Sequence, residues 1–516
     1  MKQLVYLLAV AFFTLSINAQ SPIPIGIKKS VVFKDTYKFS GIAFLESDNR
    51  GGSIIVRWYE GSLLSGKSGY LFEHYDADLK LLGTYDYPMR FNEAIHQSSV
   101  LGIVMEGENI HIIDFLYNSK KQSYSCSSIT ATVTDFNFVK KELFQIGDDE
   151  IGKPGFFAGK HDPDNYASMT VNKEGTAFAV SVDLKNPDYE SHRLHLYDNT
   201  LDKKLEYTFK RDIKDRNFKY QNIAISKDGN AIYLLARVAD KVTKGKNEGG
   251  KYRYELSKIS KDTEESQSFE TSEYFVGTLH AVAFEDRIAC IGFYSNIHEG
   301  SYSGMGYFEF DPKSLQLRKS NFNQFTEQLM FDKFGLGKDR ELGQLTLRKV
   351  LITDNNEIIF NAEEYYIFAH RYSTGATDVM PDYHLNDIVS LKINKNGELV
   401  WSRTINKDQV QGDERPFLSY TSALKADDTY FLINAFSKVD KISDDRIEFA
   451  QATLKFSDLT LLHIGKDGTF SYQKVLDHSD NEFAFMVADG IFVQKENAVY
   501  VLGQEGKKRQ LLKIQL

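Results

Sequence analysis

The segment VNKEGTAFAV (171–180) consists of an apolar approach, a polar turn around Gly175 and an apolar return. Tight β-hairpin turns require positive φ, which Gly, Asn and Asp tolerate. The pattern therefore predicts a hairpin, and it recurs along the whole chain. Comparable turns lie at 47–56, 106–114, 172–180, 226–235, 285–293, 353–362, 426–435 and 495–503.

A second kind of turn follows in most units, as in LHLYDNTLDKKLEY (194–207) and LLHIGKDGTFSYQ (461–473). The strand after it alternates polar and apolar residues, which indicates one buried face. Two hairpins in series make four antiparallel strands, the size of one β-propeller blade. The sequence thus predicts an all-β fold, a single β-propeller of about eight four-stranded blades. Seven blades are the near alternative, and an array of β-sandwiches is the competing architecture.

The two ends of the sequence predict how the ring of blades closes. The last unit (488–516) supplies only three strands, and the run GIKKSVVFKD (26–35) is available as the fourth. Pairing of the two ends would remove exposed strand edges, which otherwise invite aggregation. We therefore expect an N-terminal strand to close the ring.

Two segments interrupt the repeat. NFNQFTEQLMFDKFG (321–335) places apolar residues at near-helical spacing and ends in Gly335, which predicts a short helical insertion. A long connection (363–387) lies inside one blade, and connections of that length often carry function.

The N-terminal residues predict export. MKQLVYLLAVAFFTLSINAQ (1–20) has Lys2, an apolar run and then the small residue Ala19, the layout of a secretory signal peptide. The run is shorter than the roughly 20 apolar residues of a membrane span. No later segment is long and apolar enough to span. We predict a signal peptide at 1–19, a propeller domain at 20–516, and a periplasmic or extracellular location.

Composition excludes one class of partner. The chain has 62 Lys and Arg against 71 Asp and Glu, a net charge of −9. Nucleic-acid-binding proteins concentrate basic residues, so we expect no nucleic-acid partner.

The two cysteines, Cys126 and Cys290, lie far apart on strand-like segments, and we expect the apolar core to hold the fold without a disulfide. We expect a monomer.

The sequence contains little that points to catalysis. GSYSG (300–304) carries Tyr302 where a nucleophile elbow would carry Ser. HDPDN (161–165) offers Asp162 and Asp164 as oxygen ligands suited to Ca²⁺, the one cofactor that the sequence suggests. The alternative for this segment is a turn capped by Asp side chains.

The long connection is the richest candidate for a binding site. Its tyrosines belong to a residue type that is enriched in binding hot spots, and carboxylates near His could form a metal or acid–base site. The alternative is that the tyrosines pack between blades. The candidate partner-binding residues are Glu363, Tyr365, Tyr366, His384, Asn386 and Asp387.

The segment 345–409 resembles a group of secreted bacterial β-propeller proteins. The shared element is Glu-x-Tyr-Tyr, a long variable loop, Asn-Asp, and a strand-turn-strand with Gly and Trp. In this chain it is formed by Glu363, Tyr365, Tyr366, Asn386, Asp387, Gly397 and Trp401. A weaker resemblance links ISKDGNAIYLLA (225–236) to the repeats of WD40-like, TolB-type propellers. The first resemblance implies a secreted propeller, the second implies the fold alone, and neither implies an activity.

Three function classes remain after these observations. The first is a non-enzymatic binding or scaffold propeller for a protein of the cell envelope or extracellular space. The second is a glycan-directed hydrolase or lyase with carboxylates in the central funnel, which needs two facing carboxylates. The third is a metal-stabilised structural protein. The sequence favours the first class, because nothing in it concentrates catalytic residues.

Overall fold

The computed structural model describes residues 22–37, 39–60, 68–89, 95–153, 166–185, 189–214, 217–239, 252–261, 263–271, 274–296, 300–335, 340–371, 379–412 and 416–516. Two short strands, β1 (Gly26–Lys29) and β2 (Phe33–Lys34), precede the first complete sheet. Both strands pair with the last strand of the chain. The N-terminal residues therefore extend the C-terminal sheet.

Four regular sheets follow, each of four consecutive antiparallel strands. Sheet 1 contains β3 (Phe39–Ser47), β4 (Ser53–Glu60), β5 (Ser68–Tyr75) and β6 (Leu81–Met89), and sheet 2 contains β7 (Ile95–Glu106), β8 (Asn109–Asn118), β9 (Ser123–Thr132) and β10 (Val139–Gly147). Sheet 3 contains β11 (Ala167–Val171), β12 (Ala177–Leu184), β13 (Glu190–Asp198) and β14 (Lys203–Arg211). Sheet 4 contains β15 (Phe218–Ile225), β16 (Ile232–Ala239), β17 (Tyr252–Ser260) and β18 (Thr263–Phe269). A one-turn helix, α1 (Asp148–Ile151), follows sheet 2.

The next two sheets carry additional strands. Sheet 5 contains β19 (Phe275–Val276), β20 (His280–Ala283), β21 (Ile288–Ser295), β23 (Gly304–Phe310) and β24 (Leu317–Gln324), and β22 (Ser301–Tyr302) pairs separately with β25 (Leu342–Gly343). Sheet 6 contains β26 (Leu345–Ile352), β27 (Ile358–Arg371), β28 (Val379–Ile393), β29 (Leu399–Asp408), β30 (Val410–Gln411), β33 (Asp440–Lys441) and β34 (Ile447–Ala450). The long connection is therefore largely a hairpin of β27 and β28.

Two sheets complete the chain. Sheet 7 contains β31 (Thr421–Lys425), β32 (Asp428–Phe436), β35 (Ser457–Ile464) and β36 (Phe470–Leu476). Sheet 8 combines β1 and β2 with β37 (Ala484–Phe485), β38 (Ile491–Val493), β39 (Ala498–Glu505) and β40 (Lys508–Gln515). Short 3₁₀ turns lie at Ser443–Asp445, Leu454–Phe456, Val487–Asp489 and Gln494–Glu496.

The sheets follow one another around a common centre. Strand β3 contacts β7, β7 contacts β11, β11 contacts β15 and β15 contacts β20, while β26 contacts β31, β31 contacts β38 and β38 contacts β3. Apolar clusters fill the spaces between neighbouring sheets, including the space between sheets 8 and 1, where Leu45 and Tyr500 belong to one cluster. The predicted all-β propeller is confirmed. The blade count of eight and the closure of the ring stay predictions, which the pairing of β1 with β40 supports.

The repeated polar turns, on which the fold prediction rests, lie between adjacent strands as expected. All eight segments of the first kind join the inner strand of a sheet to the strand beside it, and Gly175 and Gly229 both have φ of +68°. No disulfide supports the described sheets, because Cys126 and Cys290 are both free and buried in different sheets. The apolar clusters between sheets therefore hold the fold.

The predicted helical insertion is shorter than its sequence pattern suggests. Helix α2 spans Glu327–Phe334, with the Thr326 hydroxyl accepting from the Leu329 amide and Gly335 at its end with φ of +81°. Residues 321–324 belong instead to β24, where Phe322 pairs with Gly306. The ladder with β23 satisfies these backbone groups, so the first residues of the predicted insertion are extended.

Candidate functional site

A cavity of about 1040 Å³ lies where sheets 1, 6, 7 and 8 meet. Its wall includes Phe39 at the start of β3 and Glu60 at the end of β4, so the cavity reaches the end of sheet 1 where β4 leads to β5. The wall combines aromatic rings with a few charged groups. The aromatic residues are Phe39, Trp58, Tyr365, Tyr383, Phe417, Tyr420 and Phe492, and the charged residues are Glu60, Arg348, Lys349 and Asp489.

Asp489 is a carboxyl group in this wall with a raised pKa. It ends the 3₁₀ turn before β38, and the Trp58 side chain forms a hydrogen bond with it. Desolvation by the surrounding wall raises the pKa of Asp489 to about 7, against the opposing effect of that hydrogen bond. The arrangement requires Gly41, because a Cβ at this position would meet the Asp489 carboxylate and lie 2.7 Å from Nε1 of Trp58.

Arg348 and Lys349 supply positive charge on the opposite wall. The Arg348 guanidinium lies 5.0 Å from the ring centre of Tyr365, a cation–π contact, and its Nη2 is 2.6 Å from Oε2 of Glu363. Lys349 is exposed to the cavity, and desolvation by the protein around it lowers its ammonium pKa. Both signs of charge therefore line one cavity.

Glu363 lies behind this wall and is fully buried. Its Oε1 is 2.7 Å from Nζ of Lys407, which is also fully buried, and the Ser419 hydroxyl donates to Oε2 at 2.8 Å. Lys407 also donates to Oε1 of Gln409 at 3.2 Å. These contacts join sheet 6 to the segment that leads into sheet 7, so they fix the wall from behind.

Asp387 belongs to the same network. Its carboxylate accepts from the Lys407 amide at 3.0 Å and lies 2.7 Å from Nζ of Lys333 in helix α2. Burial alone would lower the pKa of Lys333, but Asp387 and Glu364 outweigh burial and raise it. Asp387 therefore anchors the helical insertion to sheet 6.

The Asn-Asp element forms one side of a β-bulge. Glu363 pairs with Ile388 and Tyr365 with Leu385, so Glu364 lies opposite two residues, Asn386 and Asp387. Bulges twist a strand and redirect its side chains. Oδ1 of Asn386 is buried and has no hydrogen-bond partner within the described ranges.

Beyond the bulge, the hairpin extends past the body of sheet 6. Tyr366 and His384 stack across it, with ring centroids 4.3 Å apart and planes 10° from parallel. Next to them, Ile367 and Phe368 are each 53% exposed. The hairpin thus presents apolar surface close to Tyr365 and Tyr383, which line the cavity.

The structure separates the residues predicted for the partner site. Tyr365 lines the cavity; Glu363 and Asp387 form ion pairs behind it; Tyr366 and His384 stack on the hairpin; and Asn386 lies at the bulge. Their role in binding stays a prediction. The proposed Ca²⁺ ligands, Asp162 and Asp164, lie outside the described residues, as do residues 1–21 with the predicted signal peptide.

Sequence reasoning missed most of the cavity wall. Trp58 and Lys349 come from sheets 1 and 6, Asp489 comes from the turn before β38, and all three are far apart in sequence. No local motif marks them, and only knowledge of which sheets adjoin would have gathered them.

No protein-family model and no curated protein matches the chain. Similar solved structures include the β-propeller domain of the Trilobed protease from Pyrococcus furiosus, at 10% identity and a TM-score of 0.37, covering 86% of this chain and 98% of that one. The polysaccharide lyase Uly1 matches at 11% identity and 0.36, covering 80% and 89%. Prolyl oligopeptidase B from Galerina marginata matches at 8% and 0.40, covering 92% of this chain and 56% of that one. These similarities carry no argument about function.

Helices contribute little to the described part of the chain. Among the described residues, none of the helices has the length and apolar character needed to cross a membrane.

Proposed function

We propose that the chain is an exported binding propeller that holds a segment of an envelope or extracellular protein in the cavity between sheets 1, 6, 7 and 8. The observation that carries this proposal is the cavity itself, about 1040 Å³ with seven aromatic residues in its wall. Ligand sites are typically concave, largely apolar and equipped with a few polar groups that set orientation. Aromatic residues and Arg are also the types that dominate binding hot spots.

The ion pairs behind the wall support a binding role. Glu363, Lys407 and Asp387 are buried and engage one another or neighbouring cations, so they hold Tyr365 and Arg348 in place. A wall fixed before the partner arrives loses little conformational entropy on binding. The exposed hairpin at Ile367 adds apolar surface next to Tyr365 of the cavity wall.

A glycan-directed hydrolase or lyase is the second candidate, and Asp489 is the observation that favours it. A carboxyl group with a pKa of about 7 is about half protonated at neutral pH, so a substantial fraction can serve as a general acid. Glu60 supplies a second carboxylate in the same cavity, as glycoside hydrolysis requires. The binding role takes precedence because it needs no further assumption about the spacing of these two groups.

A capture experiment with matched charge reversals tests the proposal. Residues 20–516 would be immobilised and exposed to the solubilised envelope fraction of the host, as wild type, as Lys349→Glu and as Lys80→Glu. Lys349 lines the cavity, whereas Lys80 lies exposed at the turn between β5 and β6, at the opposite end of sheet 1. We expect a protein retained by the wild type and by Lys80→Glu but lost by Lys349→Glu.

Two other outcomes would change the assignment. Equal retention by all three proteins would remove the cavity from the proposed function. A glycan retained in place of a protein would favour the second candidate. Turnover of that glycan would then be measured with Asp489→Asn, which removes the proposed acid, and loss of turnover without loss of binding would establish catalysis. Fractionation of cells that express the full chain tests export separately.

A further inference from the structure

A cluster of two carboxylates and an imidazole lies between sheets 3 and 4, outside the cavity. Asp183 on β12 pairs in register with His192 on β13, and Glu190 precedes His192 by two residues on the same face of the sheet. One potential ligand atom from each of the three side chains lies within 4.8 Å of the others. Three side chains from two adjacent strands therefore converge on one point.

His192 is directed into this cluster. It is 5% exposed, and its Nε2 is 2.8 Å from Oε1 of Glu190. Despite that distance, Nε2 forms no hydrogen bond within the described part of the chain. The imidazole nitrogen and the carboxylate oxygen therefore lie side by side, as two ligand atoms of one cation would. Aromatic rings enclose the imidazole, with Tyr220 at 5.0 Å, Phe218 at 6.3 Å and Phe209 at 6.4 Å between ring centroids.

We propose that Asp183, Glu190 and His192 bind a divalent transition-metal cation such as Zn²⁺ or Mn²⁺. One imidazole nitrogen and two carboxylates form a ligand set suited to these ions, whose bonds to N and O are about 2.0–2.2 Å. Small side-chain rotations would bring atoms now within 4.8 Å of one another to such a distance from a common centre.

Arg211 of sheet 3 forms ion pairs with carboxylates of sheet 4. Arg211 lies opposite Glu190 on β14, but its guanidinium contacts Glu255 and Glu264 of sheet 4 at 2.5 Å each. The comparable cluster of Asp458, Asp477 and His478 differs in this respect. There Nζ of Lys474 is 2.6 Å from both carboxylates and takes the position of a cation.

Direct titration of metal-free protein tests the site. The protein would be treated with EDTA, dialysed, and titrated with ZnCl₂ and with MnCl₂ in a calorimeter, as wild type, His192→Gln and His478→Gln. We expect the wild type to bind one cation per chain, His192→Gln to bind at least about tenfold more weakly, and His478→Gln to match the wild type. The melting temperature of the wild type should rise by about 1–3 °C with saturating metal.

Two results would overturn the proposal. One is the absence of saturable binding by a folded wild-type protein. The other is equal affinity in the wild type and His192→Gln. If circular dichroism shows that His192→Gln does not fold, Asp183→Asn replaces it, because Asp183 is only half-buried and its amide keeps the shape of the side chain. Equal affinity in that variant would overturn the proposal in the same way.

Discussion

Replacing Glu363 by Gln would show how strongly the ion pairs behind the cavity stabilise the fold. Gln keeps the shape of the side chain but removes its charge. Lys407, which is fully buried, would lose the carboxylate at 2.7 Å and keep neutral acceptors such as Oε1 of Gln409. Arg348 would lose the same partner, but its side chain is 32% exposed and can recover hydration. The main cost therefore comes from the buried ammonium of Lys407.

The expected loss is about 3–5 kcal/mol of unfolding free energy, the range for removing one partner of a buried ion pair. Adding Lys407→Met to Glu363→Gln removes the charge that was left behind. Because a buried ion pair replaced by groups of similar volume is often neutral in stability, the double variant should be about 1–3 kcal/mol more stable than Glu363→Gln alone. Recovery of stability in the double variant would show that the unpaired charge of Lys407 causes the loss in Glu363→Gln.

Urea unfolding followed by tryptophan fluorescence provides the measurement. Trp401 is 5% exposed and packs in the cluster between sheets 6 and 7, next to this network. Asp78→Asn is the matched control, because its ion pair with Lys28 has a similar distance of 2.8 Å but side chains 84% and 52% exposed. The control should leave the free energy of unfolding almost unchanged, because water screens an exposed ion pair. A double variant less stable than Glu363→Gln would refute the reasoning.

Two further predictions concern the cavity wall. Asp489→Asn should stabilise the protein more at about pH 8 than at about pH 4, because a carboxyl pKa raised from 3.8 to about 7 destabilises the folded state increasingly as pH rises through that interval. Melting temperatures of both proteins at the two pH values test this, and an equal difference at both would contradict it. Gly41→Ala should lower stability by about 1–3 kcal/mol and alter the fluorescence of Trp58, whose Nε1 would lie 2.7 Å from the new Cβ. An unchanged melting temperature would argue against tight packing there.

The repeated turns made the fold predictable because they are local. A turn around Gly175 or Gly229 needs positive φ, and this requirement is visible in a few consecutive residues. The strands on either side follow from alternation of polar and apolar residues. The helical insertion was located correctly but begins later, because pairing of Phe322 with Gly306 extends the preceding strand. A pairing between distant residues decides that boundary, and periodicity does not show it.

The site was predictable only in part, for a related reason. The Glu-x-Tyr-Tyr and Asn-Asp elements singled out one hairpin, and the structure shows that Asn386 and Asp387 form a bulge opposite Glu364. What the pattern could not show is that Lys333 and Lys407, both distant in sequence from Glu363, lie against these carboxylates. Two residues that the sequence predicted for partner binding, Glu363 and Asp387, therefore form ion pairs with lysines of the same chain.

The cavity wall combines residues of sheets 1 and 8, so ligand binding in it would be linked to the contact between these two sheets. Its walls include Trp58 from sheet 1 and Asp489 from sheet 8. Sheet 8 is completed by β1, and Asp35, just after β2, lies 2.9 Å from Nη1 of Arg57 in sheet 1 and 3.7 Å from Nε of Arg509 in β40. A ligand that contacts both walls binds only when these sheets adjoin. Binding and the pairing of the chain ends are therefore thermodynamically linked. The free energy by which the pairing strengthens binding equals the free energy by which the bound ligand stabilises the pairing.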